Sequence, residues 1–517
     1  MEPFEVDLGA VLDSTQHWLL IFFLILGLLL ANAIYRLYFH PLSNYPGPKI
    51  ASLSDIPYLY WTYAGNLQYK IKEFHDKYGP VVRLGPNSLV YRNPQTWKEI
   101  YGHKREGYKS FRKDPTFYVP APTGVTLIGA NDADHSRIRR LFSHAMSDRA
   151  LREQEPIMQF YVDQLMHRLY GEVAASRPTV SIGRWFDLTT FDIIGDMAFG
   201  EAFGCLTQEN PDPWVNYVYS GVKAAEFQRA LLMYPGLAWI INKLLIPKTL
   251  VEERKAHFFM SADKFRRRAE ANIDHPDMMT YVLKFDTEKG MTDRELEANA
   301  GLILTGGSQT TTTLLSGCIF YLARNPAVLT RLVDELRGSF QSKEEITFSA
   351  AQKLPYLRAV IEETLRIYCP TPSIFPRLVP KGGAMVDGKF VPQDVSVSVA
   401  HYSTYRSRSN FADPDLFIPE RWLNDAPPKF QSDQKEALQP FSYGPRNCVG
   451  KNIAYAEVRI VLAKLLWHFD IILDPQCEKW DTQKSYSVWE RPPLLITITP
   501  IREHSVYEAP SHMWKQS

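Results

Sequence analysis

Apolar and polar positions alternate with a helical period over most of this chain. From Asp134 to Leu336, and again from Tyr356 to Tyr368, apolar residues recur at three- and four-residue intervals, which predicts a succession of helices. Thr292-Asp293-Arg294-Glu295 is a capping box, and the pattern behind it stays helical until Asn325-Pro326. That spacing predicts one helix of about 50 Å at 1.5 Å per residue. Its centre breaks the rules of helix propensity: Gly306-Gly307-Ser308-Gln309 precedes four threonines, Thr310 to Thr313. Each mid-helix glycine costs about 1 kcal/mol, so a kink, or a ligand lying against the helix, is expected there. A Gly/Thr stretch for close helix packing is the other reading. A last amphipathic run opens at Lys451-Asn452-Ile453 and continues through Val461-Leu462-Ala463.

The N-terminus follows a different pattern. No charged residue occurs between Asp13 and Arg36, and Trp18 to Leu30 is almost wholly apolar. That length approaches the about 20 residues needed to cross a bilayer. Glu2, Glu5, Asp7 and Asp13 precede it, whereas Arg36, His40 and Lys49 come after it, so the positive-inside rule places the short N-terminus in the lumen and the body in the cytosol. A cleaved signal peptide could use Ala31-Asn32-Ala33, but its first residues should be basic, and these are acidic. A buried core helix would not ordinarily sit at the extreme terminus with Trp and Tyr at its edges. Tyr45-Pro46-Gly47-Pro48 is stiff and cannot continue a helix, so it sets the angle between anchor and body.

Bulk composition narrows the function classes. The chain has 517 residues, 45% of them hydrophobic and 13% aromatic, enough for a large core. With 58 basic and 57 acidic side chains it carries no nucleic-acid footprint. Its five cysteines (205, 318, 369, 448, 477) lie far apart with no C-x-x-C pair, which argues against a disulfide framework or a zinc site and fits a reducing compartment. No N-x-S/T sequon occurs, in keeping with a cytosolic body.

The chemistry concentrates at Phe441-Ser442-Tyr443-Gly444-Pro445-Arg446-Asn447-Cys448-Val449-Gly450. Glycines four positions before and two after Cys448 let the backbone approach something flat and bulky. The helix that begins just beyond would favour a thiolate through its dipole and its unpaired N–H groups. A thiolate presented this way suits a haem iron as axial ligand.

The pattern Phe-x-x-Gly-x-Arg-x-Cys-x-Gly, met in full from Phe441 to Gly450, resembles the haem-ligand signature of the cytochrome P450 superfamily. Four further stretches match that family in order, so the resemblance runs from Pro46 to about Pro500. Gly306, Gly307, Thr310 and Thr311 match the oxygen-binding helix, but Gln309 stands where an acid is usual. The resemblance implies that Thr310 steers protons to the oxygen being activated. Gln309 can orient a water yet cannot carry a titrating proton. Glu363-Thr364-Leu365-Arg366 and Pro419-Glu420-Arg421-Trp422 resemble the E-x-x-R and P-E-R-W elements, implying a triad of Glu363, Arg366 and Arg421 that locks the loop carrying Cys448. For the two haem propionates it implies Arg446, Arg139, Arg377 and His135, the pair His135 and Arg139 lying at i, i+4 on one helix.

The resemblance also implies a mainly α fold with small β-sheets, the cytochrome P450 fold, preceded by one transmembrane helix. The expected divisions are a lumenal segment 1–17, an anchor 18–35, a proline-rich hinge 36–50 and a haem-thiolate domain 51–517. The expected activity is a monooxygenase that oxidises a lipophilic small molecule with O2. Its cofactor would be haem b, its electrons would come from NADPH through NADPH–cytochrome P450 reductase, and cytochrome b5 would be an optional second donor. The expected location is the endoplasmic reticulum membrane, with the catalytic domain cytosolic. Finer details, such as Gly-Pro-Arg-Asn-Cys-Val-Gly-Lys-Asn, are similar to fungal microsomal members of secondary metabolism. Gln309 leaves open an isomerase or dehydratase that needs no external electrons; a non-catalytic haem or ligand carrier is the third reading. Phe117 to Pro122 and a strand-like Thr371 to Phe375 are where family members line the substrate pocket.

Overall fold

The computed structural model describes residues 8–103, 110–208, 214–271, 275–283 and 290–501. Residues 1–7 of the expected lumenal segment and 502–517 of the expected catalytic domain lie outside the described residues. A helix spans Leu8–Ile34 and widens into a π-helical turn over Tyr35–Phe39. His17–Phe39 is long and apolar enough to cross a membrane, its apolar stretch is unburied, and at its end the Arg36 side chain donates to the Leu53 carbonyl. The foot of this helix is fastened to the body: Arg83, only 1% exposed, donates to the Arg36 carbonyl at 2.9 Å.

The stretch expected to be helical resolves into separate helices, among them Asp132–Ala145, Asp148–Ala174, Ile182–Phe199, Trp214–Met233, Lys248–Glu270 and Asp293–Arg324. Asn131 caps the first, its side-chain oxygen accepting from the backbone N–H of Ala133 and Asp134. Thr292 and Glu295 close the capping box of the last, whose 32 residues make it about 48 Å long. This central helix is continuous through Gly306 and Gly307. Burial compensates the glycine cost, because the helix Ile182–Phe199 lies against it. A Cβ on Gly307 would come within 2.6 Å of Ile194 Cδ1, and Thr190 and Thr312 share a hydroxyl–hydroxyl bond of 2.9 Å. Gly306 differs: nothing stands within 4 Å of where its Cβ would be. One glycine serves helix packing and its neighbour faces open space.

Strands are few. The largest sheet has five, in the order Val81–Gly85, Ser88–Tyr91, Ser396–Val399, Arg377–Leu378, Arg112–Lys113. Its last pair is antiparallel and sets Lys113 opposite Arg377. The expected strand at Thr371–Phe375 does not form; pairing begins only at Arg377. Pro370, Pro372 and Pro376 lack the N–H groups a ladder needs. The segment is held instead by its carbonyls, Ser373 O on His401 Nδ1 at 2.9 Å and Phe375 O accepting from Tyr101 Oη at 2.9 Å.

Candidate active site

The cysteine loop takes its shape from Gly444. At φ +74° it sits in the left-handed region, and a Cβ there would lie 2.0 Å from the Tyr101 carbonyl oxygen. No residue with a side chain fits that approach. The loop then doubles back, with the Cys448 N–H donating to the Phe441 carbonyl at 2.8 Å. The Phe441 ring packs on Tyr455, one turn into the helix Lys451–His468, for which Gly450 is the N-cap. Cys448 is exposed, yet desolvation by surrounding protein is the main influence on its thiol. Both hold if the sulfur faces a space enclosed by the fold. Burial raises the thiol's pKa, against the opposing pull of the Gly450 backbone N–H, Arg139 and Lys451. For the free thiol, desolvation outweighs the helix terminus and the two nearby cations.

Behind the loop, Glu363 and Arg421 are completely buried and Arg366 nearly so. Arg366 grips the carboxylate with two bonds, Nε to Oε2 at 2.9 Å and Nη2 to Oε1 at 2.8 Å. Arg421 Nε reaches Oε1 at 3.2 Å, and Trp422 Nε1 and the Ile418 N–H donate to the same carboxylate. Asp433 is a further member, pairing with Arg421 Nη1 from a stretch that no local spacing singles out. Arg366 also donates to the Tyr405 carbonyl at 3.0 Å, while Tyr405 Oη accepts from the Gln439 N–H at 3.1 Å. Gln439 O in turn holds the Ser442 N–H. A continuous chain of bonds thus runs from the buried ion network to the cysteine loop.

The four candidate propionate residues have distinct positions. Arg139 turns to the loop, donating to the Asn447 carbonyl at 2.6 Å and to its side-chain oxygen. Arg446 donates to Asp132 through Nε and Nη2, while its Nη1 is buried without a partner. Arg377 is 5% exposed and its Nη1 is likewise buried and unpartnered. His135 is buried; desolvation and then the charges of Arg446, Lys113 and Arg139 push its pKa down to about 3, so the ring is neutral. Lys113, which no sequence motif marks, belongs to this group. Burial first, then Arg377 and Arg446, hold its ammonium well below the usual lysine range. Asp132 is the one opposing carboxylate acting on both Lys113 and His135. Two orphaned guanidinium nitrogens and a crowd of mutually destabilised cations fit a doubly anionic group. The haem propionates are such a group, and the open sulfur of Cys448 fits its iron.

On the central helix, Thr310 lies one turn beyond Gly306 and donates to its carbonyl at 2.6 Å. Gln309 is buried and its Oε1 accepts from Arg491 Nη2 at 3.1 Å. The buried Thr311 acts on the buried Glu457 of the cysteine helix, a residue absent from the sequence-based candidates. Burial pushes the Glu457 carboxyl up to about 8, with the Thr311 bond opposing, and its Oε1 has no partner. A folded pKa above the unfolded value means the folded state holds the extra proton, so this group makes stability fall as pH rises from about 4.5 toward 8. Glu457→Gln, which is neutral throughout, is expected to raise the melting temperature more at pH 8 than at pH 5. An equal change at both would show that the carboxyl is not protonated in the fold.

A family model described as Cytochrome P450 matches residues 50–498. The chain belongs to the cytochrome P450 family. Similar relatives carry monooxygenase names. "Cytochrome P450 monooxygenase astJ" of Aspergillus oryzae is 48% identical over 90% of this chain and 94% of the relative. "Cytochrome P450 monooxygenase aclL" of the same organism is 44% identical over 91% and 96%. "Cytochrome P450 monooxygenase efuB" of Hormonema carpetanum is 42% identical over 90% and 93%. This cytochrome P450 is therefore a monooxygenase by family, with haem-thiolate iron as the cofactor the family implies.

Proposed function

We propose that this cytochrome P450 is a membrane-anchored monooxygenase that oxidises a lipophilic small molecule, by hydroxylation, epoxidation or a related step, using O2 and electrons from NADPH. The observation that carries the reading is Cys448, exposed yet desolvated by the surrounding protein, on a loop that Gly444, Arg139 and the Glu363 network hold in place. Haem, when bound, supplies the oxygen activation itself. The protein's part is positioning. Cys448 offers its sulfur to the iron, while Arg446, Arg377, Lys113 and neutral His135 form the cradle for the propionates. Gly306 leaves room beside the central helix, and the Thr310 hydroxyl, one turn on, would steer protons toward the oxygen being activated. Apolar surface around Phe117 and Phe375, whose rings meet edge to face, fits a lipophilic substrate.

In the same reading, His17–Phe39 anchors the protein in the endoplasmic reticulum membrane, its acidic N-terminus lumenal and Arg36 and Lys49 on the cytosolic side. NADPH–cytochrome P450 reductase delivers the electrons, with cytochrome b5 as an optional second donor. The named fungal relatives support a place in fungal secondary metabolism. The test is oxygen uptake by membranes containing the protein and reductase. NADPH-dependent uptake, with oxygen incorporated into a lipophilic test compound, is expected. Conversion of a compound at the same rate without NADPH would establish the isomerase or dehydratase alternative instead.

A further inference from the structure

Position 309 is where this chain departs from its family's pattern, and the structure gives the amide a specific partner. Arg491 comes just after the short strand Val488–Trp489 and lies along the central helix. Its Nη2 donates to Gln309 Oε1 at 3.1 Å and its Nη1 to Ser316 Oγ at 3.4 Å, so it spans two turns of one helix face. Asp187, on the helix Ile182–Phe199, holds the guanidinium from the other side, accepting from Nη2 at 2.8 Å. The arginine side chain is 9% exposed and the aspartate 19%.

A guanidinium has donors only, so the Gln309 oxygen must face it, and the amide's NH2 must face the other way. We propose that Arg491, held by Asp187, is a positioning residue that locks Gln309 in this flip state, making position 309 a fixed hydrogen-bond donor beside Thr310. This rests on the monooxygenase reading. Charge explains why an amide suits the position. Arg491 and Asp187 already neutralise one another, and a glutamate at 309 would add an unbalanced buried negative charge. It would also be held ionised by Arg491, unable to surrender a proton. A locked amide avoids both, and orders a water or a reacting oxygen through its N–H.

The experiment compares the wild-type holoprotein with Arg491→Met, Arg491→Lys, Gln309→Leu and the double variant Arg491→Met/Gln309→Leu, in membranes with reductase. Two readouts serve. Electron paramagnetic resonance g values of the ferric resting state report hydrogen bonding near the iron and require no turnover. The second is hydrogen peroxide released per NADPH, in which two electrons and two protons reduce dioxygen. Arg491→Met and Gln309→Leu are expected to shift the g values in the same direction and to raise peroxide release by similar factors, about five-fold, the scale of one lost hydrogen bond. The double variant should be no worse than the larger single, and Arg491→Lys should restore part of the loss. Wild-type g values and peroxide yield in Arg491→Met, or effects that multiply in the double variant, would overturn the proposal. If Arg491→Met fails to retain haem, Asp187→Asn, which loosens the arginine without removing it, must shift the g values, and unshifted values there overturn it equally. A wild type with no NADPH-dependent oxygen uptake would sink the monooxygenase reading instead, while the g values would still report whether Arg491 orients the amide.

Discussion

Glu363→Ala is expected to leave little haem-bearing protein. The substitution strands Arg366 and Arg421, both essentially without solvent, beside each other with one carboxylate fewer. Removing one partner of a buried ion pair costs roughly 3–5 kcal/mol, because the remaining charge is left uncompensated. Against a typical total stability of about 5–15 kcal/mol, that is a large share. Asp433 retains Arg421, so the uncompensated charge falls mainly on Arg366. Arg366 then loses its grip on Tyr405, and with it the bonds through Gln439 and Ser442 to the cysteine loop. The measurement is haem per polypeptide together with the melting temperature. Wild-type values in both would show that the network does not hold the loop.

Gly444→Ala is the second large effect. A left-handed conformation costs a residue with a side chain about 1–2 kcal/mol by itself. The steric cost adds to it, since the new Cβ would meet a backbone oxygen at 2.0 Å. Tyr101 cannot retreat, because its hydroxyl is fixed between the Phe375 carbonyl and the Val399 N–H at 2.9 and 3.2 Å. The loop must move instead, carrying Cys448 with it. Protein that folds but takes up much less haem is the expected outcome; Gly171→Ala, on the helix Asp148–Ala174, serves as a control, as nothing stands within 4 Å of where its Cβ would be. Equal haem content in both variants would contradict the geometry described for Gly444.

Much of this was legible in the sequence where the relevant residues are close along the chain. The cysteine loop, the capping box at Thr292 and Glu295, and the pair Glu363 and Arg366 are all short-range patterns, and each fixes local geometry. Asp433, Lys113 and Arg491 were not legible, because each reaches its place through tertiary contacts across tens to hundreds of residues. Lys113 offered one usable signal: it stands in a basic run, Arg112-Lys113, but only sheet register sets it opposite Arg377. The two central glycines show a different limit. Their sequence left a kink, a ligand and close helix packing all open; one glycine packs on Ile194 and the other faces open space, a division only the neighbouring helix decides. The electrostatics at Cys448 show a related limit. Periodicity reveals the dipole but not the depth of burial that opposes it.

Everything proposed for this protein depends on Cys448 holding a haem iron. The absorbance spectrum of dithionite-reduced, carbon-monoxide-treated protein in membranes tests that assignment. A strongly red-shifted Soret band of the thiolate type, lost in Cys448→Ser, is the expected result. A histidine-type band, no band at all, or a thiolate band that survives the serine substitution would contradict it.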